Sequence, residues 1–377
     1  MTRGQFPSWR VIHRKTLTRG RAPGGDDLHC ILVAENEDVL VTVENGVGLI
    51  TLNRPKAINS LTHPMVTAMS KVLADWEHDD EVRVVVVSGA GERGLCAGGD
   101  IVAVYNSARA GGQDAARFWY DEYLLNAQIA RLPKPYVALM DGIVMGGGVG
   151  VSAHGSVRVV TETTKMAMPE VGIGFIPDVG GTYLLSRAPG RLGQHAAISG
   201  APFDGADAIA LGFADHYVPH EKLAAFRQRI VDDGIDAALV AHAIEPPASN
   251  LVAQRSWIDK CYAGESVAEI IAALRGHDEV LASEAADLIA TRSPISVSVA
   301  LEAVRRAAHL ETLEDVLRQE YRTSCGSLRS HDLVEGIRAQ VIDKDRNPKW
   351  SPATLSAVTQ SDIKEYFKPA DRELELL

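Results

Sequence analysis

The sequence predicts an α/β fold followed by a helical C-terminal region, and three observations lead to this class. Runs of β-branched residues such as VRVVVVSGAG (82–91) alternate with amphipathic segments up to about residue 220. Glycine-rich turns follow these strand-like runs. Beyond residue 220 the strand signals nearly vanish, and amphipathic helices are predicted instead, for example over 267–291 and 294–308.

Two cycles of strand and helix make up the predicted α/β part. The segment 38–55 is predicted to be a β-hairpin turning at Asn45-Gly46, and 62–79 a helix capped by Thr62. The strand 82–91 then leads through a small-residue loop to a helix near Asp100. In the second cycle 114–131 is helical, 134–155 is a strand, a glycine turn and a helix, and 157–163 is a strand.

A proline-rich segment, EPPASN (245–250), is the best candidate for a boundary between the two parts. The predicted division is therefore an α/β core over 37–245 and a helical region over 246–377. Residues 1–25 carry six Arg or Lys residues and no acid, which resembles a mitochondrial transit peptide in charge. Prolines, glycines and the lack of a sustained apolar face favour a disordered extension over 1–36.

Composition limits the classes of function. The chain has 377 residues, 46% hydrophobic and 23% charged, which is typical of a globular protein with a large core. The net charge of −11 argues against a nucleic-acid partner, although an anionic ligand in a local basic pocket stays open. The four cysteines form no CxxC pair, so no metal site is expected. No segment is apolar enough to predict a membrane span, and we expect a cytoplasmic protein.

Two glycine stretches end two predicted strands, at Gly98-Gly99 and at 146–148. Facing loops of this kind can aim two backbone N–H groups at one point and form an oxyanion hole, although glycines also serve tight turns and close packing. A dinucleotide fingerprint, G-x-G-x-x-A from Gly148 to Ala153, is a weaker alternative. No G-x-S-x-G elbow is present, and His154 on a small-residue helix is expected to be structural.

Two carboxylates stand in the otherwise apolar stretch KMAMPEVGIGFIPDVGGTY (165–183). Charged side chains are seldom left in such a run without a partner or a task. Glu170 could pair with Arg158 or Arg187, and Asp178 could cap a helix that begins near Val179. The other interpretation is that the two acids act together in catalysis.

Four motifs carry a family resemblance: GLITLNRPKAINSL (48–61), LCAGGDI (95–101), GIVMGGGVGVSAHG (142–155) and MAMPEVGIGFIPDVGGTYLL (166–185). They resemble the crotonase, or enoyl-CoA hydratase/isomerase, superfamily. YDEYLLN (120–126) and the segment 322–352 are most similar to its 3-hydroxyisobutyryl-CoA hydrolase branch. The resemblance covers about residues 37–355. It implies a crotonase-like spiral of repeated ββα units with C-terminal helices.

The resemblance also implies a ligand and its contacts. The expected partner is an acyl-CoA, with coenzyme A as part of the substrate and no separate cofactor. By position, Gly99 and Gly147 resemble the two oxyanion donors for a thioester carbonyl. Lys56 and Ala57 lie in the segment expected to contact CoA, and Ala97 falls where the family's backbone contacts it. The chain can also form a homo-oligomer, as family members often do.

One departure from the family narrows the expected activity. Gly150 stands where typical hydratases carry the first of two catalytic glutamates, whereas Glu170 corresponds to the second. Asp178 falls where the hydrolase branch has its second carboxylate, and Glu122 resembles a third, substrate-contacting acid. The resemblance therefore implies hydrolysis of a thioester such as 3-hydroxyisobutyryl-CoA in valine degradation. Hydration or isomerisation of an enoyl-CoA and non-catalytic CoA binding are the alternatives.

Overall fold

The computed structural model describes residues 11–12, 31–33 and 37–376. Eleven strands are found among these residues, and they form two sheets. In chain order they are β1 (Val11–Ile12), β2 (Ile31–Val33), β3 (Val39–Glu44), β4 (Val47–Leu52), β5 (Val84–Gly89), β6 (Tyr136–Met140), β7 (Ile143–Met145), β8 (Val157–Val160), β9 (Lys165–Ala167), β10 (Phe203–Asp204) and β11 (His216–Tyr217).

The larger sheet has the strand order β1-β2-β3-β4-β5-β6-β8-β11. Its first four strands pair antiparallel, and β4, β5, β6, β8 and β11 pair parallel. The smaller sheet has the order β10-β9-β7. The predicted hairpin is confirmed, because β3 and β4 pair from Val39 with Leu52 to Glu44 with Val47. Its turn places Asn45 and Gly46 at φ values of +48° and +79°, which these two residue types tolerate.

The α-helices surround the sheets and make up almost all of the C-terminal part. They are α1 (His63–Glu77), α2 (Ile101–Arg109), α3 (Gln113–Arg131), α4 (Gly147–Gly150), α5 (Gly181–Arg187), α6 (Leu192–Ser199), α7 (Gly205–Ala210), α8 (Leu223–Asp233), α9 (Ile235–His242), α10 (Asn250–Ala253), α11 (Arg255–Cys261), α12 (Val267–Arg275), α13 (Val280–Ala290), α14 (Pro294–Ala307), α15 (Leu313–Ser327), α16 (His331–Ile337) and α17 (Gln360–Tyr366).

The chain advances through the α/β part as a spiral. Each turn adds a strand to the larger sheet, then an extended segment to a second layer, and then a helix. For example, β6 is followed by β7 and α4, and β8 is followed by β9. Bridges from Leu61 to Gly99 and from Cys96 to Val144 extend the second layer between turns. The glycine loops therefore lie in this second layer, one turn of the spiral apart.

Both faces of the larger sheet are covered. Side chains alternate along β4, so that Ile50 and Leu52 join the main core while Val47 and Leu49 face the other way. This second face is covered by α8 and α9, with Phe226 packed into its own smaller cluster. No helix in the described part of the chain combines the length and apolarity that a membrane crossing requires.

Most predicted elements are confirmed, including α1 with its Thr62 cap, α3 and α14. The prediction of one helix over 267–291 is wrong, because α12 ends at Gly276 and α13 begins only at Val280. Gly276 is the C-terminal cap of α12, and residues 277–279 between the two helices are not helical. Most of the disordered extension predicted over 1–36 lies outside the described residues. Of the residues in this range that are described, β1 pairs with β2, and β2 pairs with β3 of the larger sheet. The domain division stays a prediction.

Candidate active site

A cavity of about 250 Å³ opens where the two glycine loops meet α2, α3 and the 3₁₀ turn Glu170–Ile173. Apolar side chains such as Trp119 and Phe175, which stack with ring centroids 4.9 Å apart, form part of its wall. The chemically active groups of the wall come from four separate parts of the chain: the two glycine loops, α3 and the segment 170–178. Six predicted site residues line it: Ala97, Gly99, Glu122, Gly147, Glu170 and Asp178.

Two backbone amides of the cavity wall have no acceptor among residues 37–376. The Leu61 amide donates to the Gly98 carbonyl, and the Leu61 carbonyl accepts from the Asp100 amide. The Gly99 N–H, which lies between these two hydrogen bonds, has no acceptor in this range. Gly147 is the first residue of α4, where no preceding helical carbonyl is available to its N–H. A Cβ placed on Gly147 would lie 3.4 Å from the Gly99 nitrogen. The two free donors are therefore neighbours.

The three carboxylates of the wall are all buried. Glu122, Asp178 and Glu170 retain 2%, 4% and 6% of their accessible surface. Glu122 Oε1 and Glu170 Oε2 are buried without a hydrogen-bond partner. Asp178 differs, because the hydroxyl of Tyr123 donates to its Oδ2 at 2.7 Å. The Ser324 hydroxyl lies 2.7 Å from the same Tyr123 oxygen and orients it.

Burial shifts the ionisation of all three acids. It raises the pKa of Asp178 to about 7, although the hydrogen bond from Tyr123 opposes the shift. Burial and, after it, the charge of Asp178 hold the pKa of Glu122 and of Glu170 well above their ordinary values. Carboxyl groups in such a cluster cannot all be ionised at once. At neutral pH the site can therefore hold a carboxylate base and a protonated carboxyl side by side.

The backbone around Asp178 is held in an unusual conformation. The next residue, Val179, has φ +54°, a left-handed value that is rare for a β-branched side chain. The ring N–H of His154 donates to the Val179 carbonyl at 2.7 Å. Burial lowers the pKa of His154 to about 4, so the ring is neutral at pH 7. The expectation that His154 is structural is thus confirmed, and its contact fixes the loop that carries Asp178.

The alternative in which Asp178 caps a helix is wrong, because a distant residue has that role. Helix α5 begins at Gly181, and Glu320 of α15 accepts hydrogen bonds from the Gly180 and Thr182 amides at 2.6 and 2.8 Å. The Thr182 hydroxyl donates to the same carboxylate. Burial raises the pKa of Glu320 to about 8, although these bonds favour its ionised form. Asp178 is therefore free to face the cavity.

Replacing Glu320 with alanine is expected to destabilise the protein. The change strands buried donors at Gly180 and Thr182, and each stranded group costs about 1–3 kcal/mol. We therefore expect the free energy of unfolding, measured by urea denaturation, to fall by about 3 kcal/mol. Glu314→Ala is the control on the same helix, because its partly exposed ion pair with Arg131 is worth at most about 1 kcal/mol. Equal losses in both variants would contradict the capping role.

The alternative in which Glu170 pairs with an arginine is also wrong. Arg158 forms its ion pair with Asp215, and Arg187 lies over the ring of Tyr183 at 3.6 Å. Neither guanidinium contacts Glu170. Its Oε1 lies instead 3.0 Å from the position that a Cβ would take on Gly146. A glycine at 146 therefore leaves the space that the Glu170 side chain occupies.

Gly148, the third glycine of the second loop, and the nearby Gly150 are packed against neighbouring residues and do not face a ligand. A Cβ on Gly148 would lie 2.4 Å from the Cys96 carbonyl oxygen, and one on Gly150 would lie 2.7 Å from Asn126 Nδ2. Glu162, the acid that a dinucleotide site would need, accepts a hydrogen bond from the His220 amide instead. These contacts favour close packing over the dinucleotide fingerprint. They also leave no room for a larger side chain at 150.

Two predicted CoA contacts lie outside the cavity. Lys56 and Ala57 are exposed on the 3₁₀ turn Pro55–Ala57 and do not line the wall. The turn is nevertheless adjacent, since the Ala97 amide donates to the Ile58 carbonyl at 2.9 Å. The buried Asn59 side chain bonds to the backbone of the 90–94 loop and fixes the turn. No cluster able to bind a metal ion occurs among the described residues.

Sequence reasoning missed four residues around the three acids: Tyr123, Asn126, Glu320 and Ser324. Helical spacing could have found Asn126, which lies four residues after Glu122 on α3, but not Tyr123, which directly follows Glu122. Glu320 and Ser324 lie more than 130 residues beyond Asp178 in the chain, and no local pattern links them to the site.

Comparison with known proteins finds a family profile and relatives that match most of this chain. A family profile described as enoyl-CoA hydratase/isomerase matches residues 47–367. The chain is 39% identical to the 3-hydroxyisobutyryl-CoA hydrolase, mitochondrial, of Danio rerio, over 92% of this chain and 94% of that one. It is 37% identical to the human protein of the same name, over 97% of each chain.

Two solved structures share the fold. One is described as a carnitinyl-CoA dehydratase from Mycobacterium thermoresistibile, with 72% identity, a TM-score of 0.88 and coverage of 90% of this chain and 99% of that one. The other is described as an enoyl-CoA hydratase from Rhodobacter sphaeroides, with 38% identity, a TM-score of 0.85 and coverage of 90% and 100%.

Proposed function

The chain belongs to the enoyl-CoA hydratase/isomerase family and has the crotonase fold, and from this premise we propose that it hydrolyses the thioester of a β-hydroxyacyl-CoA. The proposed reaction converts 3-hydroxyisobutyryl-CoA and water to 3-hydroxyisobutyrate and CoA. The names of the full-length relatives support this substrate. The observation that carries the proposal is the set of three buried acids facing two free glycine amides across one cavity.

In the proposed mechanism the thioester carbonyl accepts hydrogen bonds from the Gly99 and Gly147 amides. Glu170 takes a proton from water, whose oxygen attacks the carbonyl carbon, and the negative charge of the tetrahedral intermediate falls on the oxygen at the two amides. The carbon–sulfur bond then breaks as protonated Asp178 gives its proton to the leaving sulfur. Proton transfer from Glu170 back to Asp178 restores the site, and Glu122 contacts the acyl hydroxyl.

Direct attack by Glu170 on the carbonyl, giving a mixed anhydride, is the other form of the same mechanism. A single turnover in ¹⁸O-labelled water separates the two forms. Hydrolysis of an anhydride at the side-chain carbonyl leaves label in Glu170, which mass spectrometry of its peptide detects. Label found only in the acyl product excludes an anhydride that opens at the side-chain carbonyl and is the result expected of direct attack by water.

The pH dependence of hydrolysis follows from the shifted acids. On its acid side kcat/KM rises as Glu170 and the substrate-contacting Glu122 lose their protons, at a pH above the ordinary glutamate pKa of about 4.3; this rise is the acid limb of the profile. On its alkaline side kcat/KM falls as Asp178, whose pKa burial raises to about 7, loses the proton that it gives to the leaving sulfur. The Asp178→Asn variant has no such proton to lose, so the alkaline limb is expected to be absent from the pH profile of its residual activity. An alkaline limb that stays at the wild-type position in this variant contradicts the assigned roles.

Removal of water from a β-hydroxyacyl-CoA, or its addition to an enoyl-CoA, is the second candidate. The 72% identity to a structure described as a carnitinyl-CoA dehydratase favours it. Gly150 counts against the two-glutamate form of this chemistry, because it has no acid and its space is filled by Asn126 and Val179. Two assays discriminate: thiol release from 3-hydroxyisobutyryl-CoA, and loss of the enoyl absorbance of crotonyl-CoA. Enoyl turnover without thiol release contradicts hydrolysis.

The CoA arm is proposed to leave the cavity past Ala97, with Lys56 and Ala57 beside its nucleotide end. The link between Ala97 and the 3₁₀ turn supports this route. We further propose a cytoplasmic location, or the mitochondrial matrix in a eukaryote, because the curated relatives are named mitochondrial. Valine degradation is the proposed metabolic setting.

A further inference from the structure

Asn126 is a buried polar residue to which the proposed reaction gives no task. Its side chain has no accessible surface, and neither its Oδ1 nor its Nδ2 has a hydrogen-bond partner in the described structure. A buried amide without partners costs about 1–3 kcal/mol for each unsatisfied group. Buried polar groups of this kind are rare in folded proteins, and each needs an explanation.

The position of Asn126 relates it to Glu122. The two residues are four positions apart on α3, so their side chains share one face of the helix. That face packs on α4, whose glycines leave it room. A Cβ on Gly147 would lie 2.5 Å from Glu122 Oε1, and one on Gly150 would lie 2.7 Å from Asn126 Nδ2. The orphaned carboxylate oxygen and the orphaned amide thus face the same short helix, one turn of α3 apart.

The ionisable groups around Glu122 indicate what the Asn126 amide can do. The ionisable groups whose charges act on or are acted on by Glu122 are Asp178, Glu170 and the Cys96 thiol, and all of them are acidic. None can stabilise a negative charge on Glu122 when ionised. The Asn126 amide is a neutral donor that reaches a carboxylate four residues away with a change of side-chain rotamer.

We propose that Asn126 is a positioning residue that donates a hydrogen bond to Glu122 when this acid is ionised and holds it against Gly147. The proposal rests on the proposed role of Glu122 as the acid that contacts the acyl hydroxyl. A donor to a carboxylate favours its charged form. Asn126 therefore keeps Glu122 available as an acceptor at lower pH than the acidic surroundings alone allow.

The test is the pH profile of kcat/KM in Asn126→Leu, which removes the amide and keeps a similar volume. We expect its acid limb to move up by about one pH unit, with at least partial recovery of activity at high pH. Gln128→Leu is the matched control, because Gln128 lies on the same helix and bonds outward to Ser70. Its limb is expected to stay at the wild-type position. A purely structural role for Asn126 lowers the melting temperature without moving the limb.

A limb in Asn126→Leu that coincides with the wild type, or a shift of equal size in Gln128→Leu, overturns the proposal. Should the leucine variant not fold, Asn126→Ser replaces it, since its hydroxyl is too short to reach Glu122 and predicts the same upward shift. Asn126→Gln retains a donor and is expected to return the limb towards the wild type. If the wild type turns over crotonyl-CoA and not 3-hydroxyisobutyryl-CoA, hydrolysis fails as the function, and the same limbs measured on dehydration of 3-hydroxybutyryl-CoA, which carries the acyl hydroxyl, still decide the role of Asn126.

Discussion

Glu170→Gln is expected to lower kcat for thioester hydrolysis by about 10²–10⁴-fold, the contribution typical of a positioned general base. Glutamine keeps the size of the side chain, so the cavity and the packing against Gly146 are retained. It cannot take a proton from water, and a carboxyl nucleophile is lost as well. Affinity for free CoA, measured by calorimetry, is expected to change little because the proposed route of the CoA arm passes other residues.

The control for this variant is Glu284→Gln, which makes the same change at an exposed site on α13. Its kcat should equal that of the wild type. A Glu170→Gln enzyme that retains more than a tenth of wild-type kcat would show that Glu170 is neither base nor nucleophile. A variant that loses CoA binding in parallel would instead point to a binding role.

Gly147→Ala is expected to lower kcat by about 10²–10³-fold, as the loss of an oxyanion donor does in other enzymes. The new methyl group would lie 2.5 Å from Glu122 Oε1, 3.1 Å from Leu61 Cδ1 and 3.4 Å from the Gly99 nitrogen. Since real Cβ atoms do not tolerate the first of these distances, either the Glu122 carboxylate or the α4 segment has to shift. The methyl group beside the Gly99 nitrogen also crowds the space between the two proposed donors, although both amides are still present.

Gly276→Ala is the matched control, because a Cβ there meets nothing closer than 3.4 Å and its φ of −88° suits alanine. This variant should keep wild-type kcat and stability. Steady-state kinetics and thermal unfolding of both variants separate a local effect from general destabilisation. Full activity in Gly147→Ala would contradict the proposal that its amide acts at the thioester.

Local patterns in the sequence predict most of the fold. The Asn45-Gly46 turn, the Thr62 cap and the apolar period of α3 are encoded within a few residues of the elements they define. The failure at 267–291 has a local cause too, since an apolar period can continue across a break such as the one that follows Gly276. Periodicity indicates which face of a helix is buried, but it does not show where one helix ends and the next begins.

The site was predictable only in part. Six predicted residues meet at one cavity because they stand in motifs at strand ends and on one helix face. A cap on α5 from Asp178 is the local alternative that the sequence offers, whereas the structure shows Glu320 reaching this helix from α15. The raised pKa values depend on burial by the whole tertiary structure, and no short stretch of sequence contains that information.

The partition of one substrate between two products tests the central claim most directly. Purified protein is incubated with 3-hydroxyisobutyryl-CoA, and free CoA and methacrylyl-CoA, the product of water removal, are quantified together by mass spectrometry. The account predicts that free CoA forms without methacrylyl-CoA, and that Glu170→Gln lowers the rate of CoA release by about 10²–10⁴-fold. Accumulation of methacrylyl-CoA without free CoA would contradict thioester hydrolysis and assign the three buried acids to dehydration.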